Sequence, residues 1–236
     1  MMQIMMLALL SLFGNPFLSA YSQSDWFGKG IFWALILLSI ISWVVLIYKM
    51  RFMQQLMRLS NAFSSAIAQK KDLLSISLPR QPAEHPFFQI YKTFKQHALQ
   101  TMQRKNSFSL EDLELIEYQV HMEISAQHKA VEAHLFILST AVTLAPFLGL
   151  LGTVWGILMT FSQLQTKGFA LSNSAMLAGL SLALTTTVAG LLIAIPALVG
   201  YNYLKNSSRE YRRDMEQFSR LLLTAAHQSH SETPRI

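Results

Sequence analysis

The chain has 236 residues, 52% of them hydrophobic and only 14% charged, well below the roughly 25% charged of a soluble domain, so much of it belongs in a bilayer. It has no cysteine, which excludes disulfides, Cys-ligated zinc and iron–sulfur clusters. The formal net charge is +6, yet no basic run exceeds pairs such as Lys70-Lys71 and Arg212-Arg213, and no basic patch is interleaved with aromatics; nucleic acid is not an expected partner.

The first stretch, MMQIMMLALLSLFG, is apolar and is followed by small residues at Ser19-Ala20, as before a signal cleavage site. It lacks the Lys or Arg of a signal n-region. The expectation is an outward-facing segment, 1–27, lying on the membrane surface. Between Lys29 and Lys49, 19 residues carry no charge. As a helix they reach about 28 Å, close to the thickness of a hydrocarbon core. Trp26, Trp33, Trp43 and Tyr48 sit toward its ends, in the manner of an aromatic belt. A first transmembrane helix is predicted over 28–48.

Residues 49–132 are predicted to form a cytoplasmic helical domain. Phe52, Leu56, Leu59, Phe63 and Ile67 recur at three or four, the period of an amphipathic helix over 49–72. The segment SLPRQPAEHP, 77–86, holds three prolines and must break that helix. Helical spacing resumes over 87–103. Ser109 followed by Glu111, Asp112 and Glu114 is a helix-start signal, with acid set against the positive end of the dipole. No Gly or Pro occurs from residue 110 to residue 145, which predicts one uninterrupted helix rising into the second span.

No Asp, Glu, Lys or Arg occurs over 133–166 or over 168–204. Each stretch is longer than a bilayer requires, so each holds a span plus an extension. The second transmembrane helix is set at 133–162 and the third at 175–203. An outward-facing loop with Lys167 joins them over 163–174. A cytoplasmic helix and tail, 204–236, complete the chain, with the residues from about 228 expected to be disordered. Residues 49–132 and 205–236 together hold 17 Lys and Arg, and the rest of the chain holds 2. By the positive-inside rule the N-terminus and hairpin loop face outward and the long middle region and C-terminus face the cytoplasm. The predicted fold class is an all-α membrane protein with three transmembrane helices, N-out and C-in, and long cytoplasmic helical extensions.

On a helical projection, Ala145, Gly149, Thr153, Gly156 and Thr160 make one small, weakly polar stripe of the second span, with Gly152 beside it. Gly179, Ala183, Thr187, Gly190, Ala194 and Ala197 make the matching stripe of the third. Two readings follow. Small residues at a spacing of four let membrane helices approach closely, Pro146 and Pro196 bend them, and Thr hydroxyls bond back to their own helix. Alternatively, Thr153 near the middle of the second span and Thr185-Thr186-Thr187 in the third supply hydroxyls that relay a proton or orient an acid. No carboxylate lies inside any span, whereas membrane proton relays typically use Asp, Glu or His. If the chain conducts protons, the titrating group comes from another chain. No HExxH, P-loop or GxSxG occurs, and no clustered acidic pair is expected in a plausible pocket, so neither an enzyme nor a cofactor is expected. His121 and His128 share a helical face and His134 follows, but without a further ligand at i+3 or i+4 they are expected to be solvated rather than metal-binding.

The segments LAPFLGLLGTVWGILMTF and GLSLALTTTVAGLLIAIPALVGYNYL resemble the TolQ/ExbB/MotA family of proton-channel subunits. SIISWVVLIYKMR resembles the family's exit from the first span. The resemblance implies a bacterial inner-membrane ring, commonly a homopentamer, around the single-span helices of a TolR- or ExbD-like partner. Each partner helix supplies one membrane Asp. It further implies that the proton-motive force drives motion passed to a TolA- or TonB-like transducer, serving outer-membrane integrity or TonB-dependent import. Membrane lipid is the remaining partner. Thr153 in GTVWG and Thr187 in TTTVAG match the family's pore threonines, and Thr186 is adjacent. The short cytoplasmic region is closer to TolQ or ExbB than to a flagellar stator. Between those two the sequence does not decide; the short outward N-terminus leans to TolQ. One departure is Leu182 in GLSLAL, where the family's GIAEAL pattern carries Glu; Ser181 is adjacent. That departure leaves a non-conducting membrane scaffold as the alternative.

Overall fold

The structure, a computed structural model, describes residues 17, 21–22, 24–68, 85–105, 109–167 and 173–231. The expectations for the extreme N-terminus and for the proline-rich break up to residue 84 lie outside the described residues. Among the described residues five long helices carry the fold: α1 Trp26–Ala68, α2 Pro86–Lys105, α3 Leu110–Glu132, α4 Leu135–Lys167 and α5 Asn173–Ser231. No strand occurs among the described residues. Three helices are long and apolar enough to cross a membrane, within Trp26–Ser60, Leu135–Gln165 and Gly179–Ala226.

Local chemistry sets most of the helix starts. Asp25 caps α1: the Gly28 N–H donates to its Oδ1 at 3.0 Å, and the Lys29 N–H donates to its carbonyl at 2.9 Å. Pro86 occupies the first position of α2, where its missing N–H costs nothing. Ser109 precedes α3 and its N–H donates to the Asp112 carboxylate at 3.1 Å, half of a capping box.

The uninterrupted helix expected from residue 110 into the second span does not form. α3 ends at Glu132, Ala133 and His134 make a turn, and α4 begins at Leu135. His134 takes φ 70°, the left-handed region that non-glycine residues seldom adopt. The cause is a long-range cap. Lys49, almost fully buried, donates from Nζ to the Val131 carbonyl at 3.0 Å, and the Ala133 N–H closes on the Ala130 carbonyl at 3.3 Å. With the Ala130 and Val131 carbonyls satisfied and a cation at its negative end, α3 can stop without glycine or proline. At the other ends, α4 stays helical to Lys167 and α5 begins at Asn173, so the link is shorter than 163–174. Residues 228–231 are helical rather than part of a tail.

The chain divides into two compact units, Met1–Ile47 with His134–Asn202, and Tyr48–Ala133 with Tyr203–Ile236. The first holds the apolar spans around Ile31, Leu35, Ala145, Ala189, Ile193 and Ala194. Its α4 leaves Phe147, Leu150, Val154, Leu158 and Phe161 exposed, the reverse of a soluble helix and appropriate where the surroundings are lipid or other apolar helices. The second unit has an aqueous-type core. Tyr211, Met215, Phe218 and Leu222 form one helical face and are buried. The Phe87 ring packs 5.7 Å from Tyr211 and 5.0 Å from Phe218. The Ser60 and Tyr211 hydroxyls lie 3.0 Å apart, so the buried phenol keeps a polar partner.

Candidate functional site

The site is the line along which α4 and α5 touch. Neither helix carries bulk there. A Cβ on Gly149 would stand 3.0 Å from the Thr186 carbonyl oxygen and the Thr187 Cα. One on Gly152 would collide with the Thr186 hydroxyl and lie 2.6 Å from its Cβ. One on Gly156 would meet Ala183 Cβ at 3.0 Å, one on Gly179 would strike the Thr160 hydroxyl, and one on Gly190 would strike the Ala145 carbonyl. The rungs therefore run Thr160–Gly179, Gly156–Ala183, Gly152–Thr186, Gly149–Thr187 and Ala145–Gly190. The two stripes read from the sequence face one another within one chain. Gly152 belongs to the line of contact, while Thr153 is not one of its rungs. Pro146 and Pro196 lie inside continuous helices, half-buried; each withholds the N–H that the carbonyl four residues earlier would normally receive. Leu182 lies on α5, and its side chain is outside the described residues.

The hydroxyls differ in what they offer. Thr186 is 1% exposed; its Oγ1 donates to the Ala183 carbonyl at 2.8 Å and lies 3.4 Å from the Gly149 carbonyl. Thr187 is half-buried and donates across the seam to the Gly149 carbonyl at 3.1 Å. Thr153, also half-buried, donates to Leu150 of its own helix at 2.7 Å. Thr160 likewise donates to Gly156 at 2.8 Å. A threonine has one hydrogen to donate and two lone pairs to accept with. Thr153 and Thr187, with their hydrogens committed to carbonyls, are left as acceptors. They suit the O–H of water or of a protonated acid, and suit an ionised carboxylate poorly. Thr186 is closed off.

Sequence reasoning missed Asp25. Besides capping α1, its carboxylate accepts the Trp155 indole N–H, at 3.0 Å to Oδ2 and 3.2 Å to Oδ1. The Phe27 ring lies 4.3 Å from Trp155. An Asp just before a helix is a legible cap signal, but its second partner is 130 residues away. The bond brings Trp155 level with the first turn of α1. Thr153, two residues from Trp155, is within about 3 Å of that level along the helix axis. Thr153 itself stands near the middle of α4, Leu135–Lys167. Gly149, against Thr186 and Thr187, is about 6 Å from Thr153 along α4, on the side toward Leu135.

The pattern defining the MotA/TolQ/ExbB proton channel family matches residues 88–217, a range that takes in the whole seam. The chain belongs to that family. A biopolymer transport protein ExbB of Aquifex aeolicus is 43% identical over 88 residues, which are 37% of this chain and 59% of that relative. An ExbB-like biopolymer transport protein of Helicobacter pylori is 37% identical over 103 residues, 44% of this chain and 68% of the relative. Biopolymer transport protein ExbB of Neisseria meningitidis is 27% identical over 194 residues, 79% of this chain and 86% of the relative. The first of these alignments thus covers less than two thirds of the relative. Membership and the three spans place this MotA/TolQ/ExbB-family protein in the inner membrane.

Proposed function

We propose that the chain is the ring-forming subunit of an ExbB–ExbD-type complex, with TolQ–TolR as the nearest variant. It acts as a homopentamer around an ExbD- or TolR-like single-span partner and drives a TonB- or TolA-like transducer; it is not an enzyme. Support for ExbB over the TolQ leaning comes from the relatives above, whose names are ExbB.

The observation that carries the reading is the pair of half-buried hydroxyls, Thr153 and Thr187, whose hydrogens are held by backbone carbonyls. In the proposed mechanism the partner's Asp enters from the outer end and meets Thr153 first and Thr187 deeper. Each threonine oxygen accepts a hydrogen bond from the protonated carboxyl and offers nothing to the ionised one. Hydrogen bonding to the neutral acid favours that form. The acid therefore crosses the low-dielectric level neutral and releases its proton where the threonines no longer face it. Thr186 is assigned to packing.

The test is proton flux in vesicles carrying the complex. Thr153→Val with Thr187→Val keeps the shape and removes the acceptors; flux should fall by about threefold to tenfold, the worth of one neutral hydrogen bond in the rate-limiting state. Thr→Ser at both positions should retain most of it. Unchanged flux in the double Val variant would remove these residues from the pathway.

The same bonds favour a second reading, the non-conducting scaffold, because back-bonded threonines also serve pure packing. In that case the intact complex carries no proton flux above empty vesicles.

A further inference from the structure

An apolar slot of about 480 Å³ lies in the first unit beside α1. Phe32, Ile36 and Ile40 of α1, Ala189 and Ile193 of α5, and the Tyr21 ring line it. From Phe32 to Ile40 is about 12 Å along the helix, so the slot is elongated along the span. Its volume is within the roughly 300–1,000 Å³ of ligand cavities, and with Ser39 as the one hydroxyl on its α1 wall it has too few polar partners to hold water. Lys29 lies one turn above, on the same face as Trp33, Ile36 and Ile40. Its ammonium is 5.8 Å from the Tyr21 ring centroid. Asp25, the acid one turn before it, directs its carboxylate to Trp155 and the Gly28 N–H instead.

A cation at the outer end of an elongated apolar slot, with Tyr21 and Trp33 at the interfacial level, matches one chemical object. We propose that this slot binds an anionic phospholipid of the outer leaflet, one acyl chain lying along α1 and the phosphate on Lys29. The assignment rests on charge complementarity and slot shape, and is independent of proton conduction.

The test is native mass spectrometry of the full chain with its co-purifying partners, titrated with phosphatidylglycerol or phosphatidylcholine. The wild-type protein should retain phosphatidylglycerol about fivefold more tightly, the effect of one interfacial Lys. Lys29→Gln should erase that preference, and Lys29→Arg should keep it. Ser39→Phe, which fills the slot, should lose both lipids while the complex stays assembled. Equal phosphatidylglycerol retention in wild type, Lys29→Gln and Ser39→Phe overturns the proposal. So does rapid dimer formation through Ile40→Cys, the sole cysteine of that variant, which would put a second copy in the slot.

Discussion

At the scale of single residues, titration and packing lead to separate expectations. His85 is buried beside the Leu56 carbonyl and the Phe87 ring. Burial pushes its pKa below the ordinary histidine value, and the hydrogen bond to Leu56 opposes this only in part. The folded protein therefore holds His85 neutral where the unfolded chain would take a proton. Stability from this residue is fully present above about pH 6.5 and is lost as pH falls through that value toward the depressed folded pKa. The thermal midpoint of the purified chain should drop between pH 7.5 and pH 5.5, and His85→Gln should shrink the drop. An equal drop in the variant would assign the pH sensitivity elsewhere. Asp25 and Lys49 teach a related lesson. Each is unremarkable as a letter in the sequence, one read as part of an outward segment and one as a topology charge. Their working contacts, to Trp155 and to Val131, are 130 and 82 residues away, beyond any local pattern.

Among elements, the α4–α5 seam makes the sharpest demand on side-chain size. Gly190→Ala would drive a methyl into the Ala145 backbone carbonyl, with Gly149 Cα only 3.3 Å away. Backbone cannot rotate aside as a side chain does, so overpacking should cost about 1–3 kcal/mol. Gly30→Ala on α1 meets nothing within 4 Å and should be neutral or stabilising by up to about 1 kcal/mol through helix propensity. Thermal melts of the two variants in one detergent check this contrast; equal midpoints would mean the helices separate at no cost. The seam was legible in the sequence because small residues at steps of three and four survive projection onto a helix. α1 and the long α5 were legible for the same reason, as unbroken helical periods. The end of α3 was not. Nothing at Ala133-His134 is a breaker, and the cap is delivered by Lys49 from another helix.

For the whole molecule, one unit has its bulky apolar residues outward and its small residues inward, and the other has an ordinary buried aromatic core. That division is what a membrane part and a water-facing part require, and the distribution of Lys and Arg follows it. The membrane unit holds no acid within its spans, while its accessible hydroxyls are set as acceptors. Conduction by this chain alone is therefore not expected. The decisive measurement is proton flux into vesicles holding either the purified chain alone or the chain with its co-purifying single-span partner. Flux is expected only with the partner, and is expected to be abolished when the partner's membrane Asp is changed to Asn. Equal flux from the chain alone would contradict this, because the proton would then be crossing without the acid that the hydroxyls are set to receive.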